Sequence, residues 1–332
     1  MTPSDSHALM QRELDEQAGI LEAAAGPLSK AAAGLHGDRD STIWIGGCGD
    51  SLFAAQAMAG HFRTAGWDMR AASAAEMLWD APISDGDRVV GISISGSTRR
   101  TVEALAAAKA RGARTLAITL KPESALAETA DAVLPLPYTP ISRAIPHGLD
   151  YHVTLLALAA LAGPIDCARM VEAIADATPG LLAEARRLAA GLGPEARFVF
   201  LGAGPALGSA NFSAAKLHEA GGLPAFSHES ENFAHGAHFM LRPGDHAVLV
   251  GAGGPGDART FAMAPGLGKL GVSVATVPAV AGDGWISAHL GGLSAQALCL
   301  AVAEARALDV TDPGAGSTAA AVQREWFGWT AG

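Results

Sequence analysis

DRVVGISISGSTRRTVEALAAAKARGARTLAITL, residues 87–120, decides the fold. Asp87 to Ser93 (DRVVGIS) is a β-branched apolar run that reads as a buried strand. Ser93 to Thr98 (SISGST) is a loop of small residues, Arg100 to Arg111 a helix, and Arg114 to Leu120 (RTLAITL) another strand. The rhythm continues outward. Thr42 to Gly46 (TIWIG) is a strand, GGCGDS (Gly46 to Ser51) a turn, and Ser51 opens a helix through Phe62, while Asp131 to Leu136 adds a further strand. Alternating strands and helices predict a parallel sheet covered on both faces.

The pattern then repeats. Arg197 to Leu201 (RFVFL) is a strand, GAGP a turn and Leu207 to Ala220 a helix; His246 to Gly251 is a strand, followed by GGPGDA, a helix and the strand Val272 to Val277. Gly46 and Gly202 fall in equivalent turns and Asp87 and Asp245 precede equivalent strands, so the chain reads as an internal duplication. The fold class is α/β, two tandem doubly wound, flavodoxin-like domains. A helical arm occupies 1–35, with Leu9, Leu14, Ile20 and Leu21 marking an apolar stripe from about Ser6 to Leu28. The first domain spans 36–165, a helical connector 166–194 and the second domain with a C-terminal tail 195–332. Within the helical stretch His152 to Leu192, breaks are expected at Gly163, Pro164, Pro179 and Gly180.

At 332 residues with nearly half apolar, the chain is long enough for two cores. A net charge of −10 and the lack of a basic run argue against nucleic acid as a partner. Three cysteines, Cys48, Cys167 and Cys299, have no metal-type spacing and fit a reduced cytoplasmic setting. The N-terminal MTPSDSHALMQRELDEQ carries acids where an export signal needs a basic start. Apolar runs such as Val153 to Ala162 are too short to span a bilayer, so no membrane is expected. The Asn211 sequon therefore carries no glycosylation meaning.

SISGST ends a strand and opens a helix, offering backbone N–H groups, hydroxyls and a helix dipole to an anion such as phosphate. Thr98 as a plain N-cap is the equally ordinary reading. Arg99 and Arg100 are surface charges of which one could reach an anion. Neither GGCGDS nor GAGGPG (Gly251 to Gly256) has the spacing of a dinucleotide fingerprint. In the second half KLHEAGGLPAFSHESENFAH, residues 216–235, places Lys216 and Glu219 on one side of a helix stopped by Gly221 and Gly222. An acidic, histidine-rich turn follows with His228, Glu229, Glu231 and His235. A carboxylate, an ammonium and an imidazole suit proton transfer beside a carbonyl. The bland alternative is a solvated Lys–Glu pair. His228, Glu231, His235 and His238 could bind a metal, but without recognised ligand spacing none is expected, and no cofactor.

On these residues the chain resembles the SIS (sugar isomerase) family, in particular the two-domain isomerase half of glucosamine-6-phosphate synthase and its stand-alone relatives. Four places carry the likeness: MQRELDEQ at Met10 to Gln17, the GCGDS turn, SISGST running into TVEAL, and Lys216–Leu–His–Glu219 with His235–Gly236 sixteen residues after the glutamate. The resemblance implies that Ser93, Ser95 and Thr98, with Ser51 nearby, hold a substrate phosphate. It implies that Glu219 moves a proton between C1 and C2 through a cis-enediol, that Lys216 assists at the oxygens, and that His235 of a neighbouring subunit opens the ring. A homodimer or higher oligomer with shared sites follows from it.

Departures bear on specificity. Ile94 replaces the usual Gln and Ser97 a polar or acidic residue; Asp50 replaces Thr, and an acid there is unwelcome beside a phosphate unless it points away or meets a hydroxyl or amine. Where the synthases read the sugar with a Ser-Thr-Lys segment, this chain has PHGLDYHV, Pro146 to Val153, making His147, Asp150 and His152, with Asp50, the candidate sugar-reading residues. Thr318 stands near the position of the synthase's C-terminal lysine, and the arm begins almost at residue 1, with no glutamine-hydrolysing domain before it. Glutamine-dependent amination is therefore not expected. What remains is a phosphosugar aldose–ketose isomerase or an aminosugar-phosphate deaminase; the alternatives are a deglycase of an amine-linked ketose 6-phosphate, a noncatalytic sugar-phosphate sensor and, more remotely, a metal-dependent hydrolase.

Overall fold

The computed structural model describes residues 2–37, 39–220, 223–311 and 317–330. In chain order the elements are α1 (Pro3–Ala33), β1 (Ile43–Gly47), α2 (Asp50–Thr64), β2 (Met69–Ser73), α3 (Ala74–Trp79), β3 (Arg88–Ile92), α4 (Arg99–Ala110), β4 (Arg114–Thr119), α5 (Ala125–Thr129), β5 (Ala132–Pro135), α6 (Leu149–Ala162), α7 (Cys167–Ala190), β6 (Phe198–Gly202), α8 (Ala206–Glu219), β7 (Ala225–Glu229), α9 (Ser230–Ala234), β8 (His246–Val250), α10 (Gly256–Phe261), α11 (Ala264–Lys269), β9 (Ser273–Val277), α12 (Gly284–Arg306) and α13 (Thr318–Gly328).

Two parallel sheets result, ordered β2-β1-β3-β4-β5 and β7-β6-β8-β9. Four strands of the first have counterparts in the second in the same order, and β5 has none. Ile43 lies opposite Arg88 and Phe198 opposite His246, so Gly47, one residue beyond the Gly46 of the sequence reading, is the counterpart of Gly202. The strand cores, such as Val89 and Val90 in β3, are buried on both faces, as covered parallel strands must be.

The helices α1, α2, α6, α7, α8 and α12 pack on one another in one continuous core with inner faces of both sheets. The stretch read as a connector is one helix, α7, which runs unbroken through Pro179 and Gly180. Its buried stripe, Met170, Ile174, Leu181, Ala185 and Leu188, lies along α12, and that burial outweighs the hydrogen bond lost at the exposed proline. Helix α12 is long and apolar enough to cross a membrane by length and composition, but 94% of that apolar window is buried inside the fold, which makes it the central core helix.

Glycines set the spacing of this layer. A Cβ on Gly208 of α8 would stand 2.6 Å from the Phe53 carbonyl oxygen and 2.9 Å from Ala57 Cα of α2, and closer still to Ala57 N. On the adjoining face of α8, a Cβ on Gly291 of α12 would lie 2.6 Å from Ser209 Cβ. Helix α8 of the second half is thus gripped between α2 of the first half and α12.

Candidate active site

The loop after β3 gathers hydroxyls. Ser93, buried at the strand end, has its Oγ 2.9 Å from Thr98 Oγ1 and 3.4 Å from Ser95 Oγ, and accepts the Gly96 N–H at 3.1 Å. The backbone N–H and hydroxyl of Ser97 donate to Ser95 Oγ at 3.3 and 3.0 Å. Gly96 turns the chain with φ +64°, and any side chain there would collide with Ser124. Thr98 does occupy the N-cap position of α4, but its hydroxyl faces Ser93 and makes no capping bond. The first-turn N–H groups of α4 therefore have no acceptor from that side chain, the arrangement an anion needs. Ser51, in the first turn of α2, packs against Gly47, which pairs with Ile92 just before Ser93. The arginines of α4 are engaged: Arg99 with Glu103 at 2.7 Å, Arg100 with Glu103 and between the rings of Trp79 and Trp329 at 4.8 and 5.2 Å.

The matching loop of the second half is closed on itself. Asp257 accepts the N–H of Ala252 at 2.9 Å and of Gly253 at 2.8 Å, so a carboxylate of the chain already fills that turn.

Lys216 joins the two halves. It is 3% exposed, and its Nζ lies 2.8 Å from Asp50 Oδ2 and 2.7 Å from Glu219 Oε2, above the Phe212 ring at 5.3 Å. Desolvation pulls the pKa of this ammonium down, but the charges of Asp50 and Glu219 outweigh it and hold it above the ordinary lysine value. The acid at position 50 is therefore spent on a cation rather than aimed at the hydroxyl loop. Glu219 keeps 44% of its side chain exposed, so its carboxylate is held on one side and open on the other. The helix ends at Glu219, with Ala220 as its cap residue; the expected stop at Gly221 and Gly222 lies outside the described residues. Phe212 is stacked on Tyr151 at 3.8 Å, so α6 supplies the floor beneath the lysine, a contact the sequence reading missed although Phe212 stands one turn before Lys216.

The Pro146 to Val153 segment divides. Asp150 is a hub: its carboxylate accepts from the Tyr138 hydroxyl and the Arg143 guanidinium and lies 3.4 Å from His147 Nδ1. Tyr138 and Arg143 were not singled out from sequence, since only the folded loop brings them to Asp150. His147 is partly exposed beside that hub. His152 is a correction: it is fully buried between α6 and α12, its Nδ1 2.9 Å from His289 Nδ1, and does not face a surface a sugar reaches. Burial depresses its pKa to about 3.

His235 is highly exposed on the turn after α9, 3.5 Å from Glu231, and within one chain it is not brought to Lys216. The two acids of this turn have other partners as well: Glu229 caps α9 through Asn232 N at 2.8 Å, and Glu231 also pairs with Arg259 at 2.6 Å. Among the described residues no three His, Cys, Asp or Glu side chains converge on a point where a metal would sit. Two concave surfaces, of about 520 Å³ between α1 and the end of α12 and about 370 Å³ along α8 and β7, are lined by neither the hydroxyl loop nor Lys216 and Glu219.

A duplicated parallel α/β fold with a hydroxyl loop after β3 and a lysine–carboxylate set on α8 defines a class, and comparison with known proteins agrees over part of the chain: residues 38–162, in the first half, match the SIS domain. A 3-hexulose-6-phosphate isomerase from Methylomonas aminofaciens is 33% identical over 99 residues, 30% of this chain and 53% of that protein. An N-acetylmuramic acid 6-phosphate etherase from Symbiobacterium thermophilum is 45% identical over 67 residues, 20% of this chain and 22% of its own. The chain thus spans about half and about a fifth of these curated relatives. Among solved structures, the C-terminal domain of glucosamine-fructose-6-phosphate aminotransferase from Francisella tularensis superposes with a TM-score of 0.76 at 20% identity, covering 92% of this chain and 98% of that one. A glucosamine-6-phosphate deaminase from Thermotoga maritima gives 0.74 at 24% identity, covering 92% and 97%. These likenesses establish the two-domain fold.

Proposed function

We propose that this chain is a phosphosugar enzyme, an aldose–ketose isomerase or an aminosugar-phosphate deaminase, that works by proton transfer at Glu219. The observation that carries the reading is the buried Lys216 ammonium, which ties Asp50, beside the hydroxyl loop, to Glu219 on α8. Phosphate held by Ser51, Ser93, Ser95, Thr98 and the α4 N-terminus would fix an open-chain sugar with its C1 and C2 toward Glu219. The Glu219 carboxylate takes the C2 proton of an aldose to leave a cis-enediol and returns a proton to C1, giving the ketose. Lys216 steadies the negative charge that builds on the oxygens. With an amine on C2 the same transfer gives a ketose imine, which water hydrolyses to the ketose and ammonia.

The etherase, isomerase, aminotransferase and deaminase relatives carry phosphosugar or aminosugar-phosphate names, which supports the substrate class. His235, exposed and away from Lys216 in one chain, fits a ring-opening role in a second copy, so the reading includes a homodimer or higher oligomer with shared sites. A cytoplasmic setting and independence from glutamine belong to the same proposal.

The test is proton NMR in heavy water with fructose 6-phosphate, glucose 6-phosphate and glucosamine 6-phosphate, comparing the wild type with Glu219→Gln. Loss of the C1 or C2 proton signal in the wild type alone supports the mechanism, and ammonia release separates deaminase from isomerase. Binding of all three without exchange at any carbon would replace the enzyme with a sensor.

A further inference from the structure

Glu13 lies on α1, only 3% exposed, where a carboxylate needs hydrogen bonds to be tolerated. Its Oε2 accepts the Gly148 N–H at 2.8 Å and the Gln296 Nε2 of α12 at 3.2 Å. Gly148 is the N-cap residue of α6, a helix buried along its whole length whose N-terminal N–H groups cannot turn to water. Glycine has no side chain with which to cap, and Asp150 in the first turn is spent on Tyr138, Arg143 and His147. The acceptor at this helix end therefore comes from another element, and a carboxylate there also meets the positive end of the helix dipole.

The partner on α12 is seated with little freedom. A Cβ on Gly148 would collide with the Gln296 side chain, and one turn earlier on α12 a Cβ on Gly292 would lie 2.8 Å from His152 Nε2. Gly291 beside it meets Ser209 of α8, the helix that carries Lys216 and Glu219. One carboxylate oxygen thus fixes α1 and α6 to the helix against which α8 is set. An apolar side chain would fill the space at lower electrostatic cost, because a buried charge is stabilising only when its geometry is met.

We infer that Glu13 is a positioning residue: it caps α6 from the arm and holds Pro146 to Val153 in register with the α8 site. The inference rests on the reading above that this segment borders the sugar.

The experiment compares wild type, Glu13→Ala, Glu13→Gln and Gln296→Leu by hydrogen–deuterium exchange, with calorimetric binding of inorganic phosphate, fructose 6-phosphate and glucosamine 6-phosphate. In Glu13→Ala, amides of residues 148–152 exchange about tenfold faster, the factor expected for one lost hydrogen bond to a charged group. The preference for either sugar phosphate over inorganic phosphate falls by about the same factor, while inorganic phosphate binds as before. Glu13→Gln retains an acceptor oxygen and stays near wild type. If Glu13→Ala does not fold, Gln296→Leu, which removes one of the two donors, must raise exchange in the same residues. Unchanged exchange at 148–152, or a rise shared equally by the sheet strands, overturns the cap. A wild type that binds neither sugar phosphate, with the local exchange change present, overturns the phosphosugar reading and leaves the cap standing.

Discussion

Gly208→Ala is the substitution that most directly probes how the two halves are joined. The added methyl would be 2.6 Å from Phe53 O and 2.9 Å from Ala57 Cα, with Ala57 N nearer still. All three are backbone atoms, so no side chain can swing aside and α2 and α8 must separate. Overpacking of this kind costs about 3 kcal/mol, at the upper end of the usual range. Alanine recovers roughly 1 kcal/mol over glycine inside a helix, leaving a net loss of about 2 kcal/mol. For a chain of this size, with an unfolding entropy of about 2 cal/mol/K per residue, that lowers Tm by roughly 3 °C, readable by circular dichroism or differential scanning fluorimetry. The control is Gly180→Ala on α7, where a Cβ has nothing within 4 Å, and the expected gain is about 0.5–1 kcal/mol. Separation of the helices also stretches the 2.8 Å bond from Lys216 to Asp50, so turnover falls more than the loss of folded protein explains. A Gly208→Ala protein as stable and as active as Gly180→Ala would refute the close crossing.

Lys216→Met leaves Asp50 and Glu219 without their shared cation; turnover is expected to fall at least about a hundredfold, while inorganic phosphate affinity, measured calorimetrically, stays within about twofold. The paired substitution Ser93→Ala with Thr98→Val removes two hydroxyls and weakens inorganic phosphate binding by roughly tenfold or more, with the far-ultraviolet spectrum unchanged. Burial lowers the pKa of both His152 and His289, so below about pH 6.5 the unfolded chain takes up protons the native chain refuses. Stability from these two groups is full above about pH 6.5 and is lost as the pH falls, by about 1.4 kcal/mol per pH unit for each histidine. Denaturant midpoints between pH 7 and 5 check this, and His289→Leu must flatten the slope.

Strands rich in β-branched residues were legible because their burial on both faces demands such residues: β1, β3, β4, β6, β8 and β9 stand within a residue or two of their expected places. Strand β2, Met69–Ser73 (MRAAS), has two alanines and no periodic signal, and α12, apolar on nearly every side, has no polar face to betray its turn. Strand β7 starts at Ala225 and Phe226 and continues through Ser227, His228 and Glu229, which propensity does not favour. In the site, Lys216 and Glu219 were readable because a three-residue spacing is local on a helix. Asp50 on Lys216, Glu13 on Gly148 and Arg143 on Asp150 are tertiary meetings, which no spacing rule reports. His152 misled for the same reason: a histidine in an apolar run is polar in sequence, yet the fold turned it inward against His289.

Asp257 implies a division of labour between the duplicated halves. One repeat carries the hydroxyl loop proposed to take an outside anion, whereas the other occupies the equivalent turn with its own side chain, at Ala252 N and Gly253 N. On the proposed reading of the hydroxyl loop the expected stoichiometry is a single phosphate for every chain, so that the symmetry of the backbone would not be a symmetry of ligands.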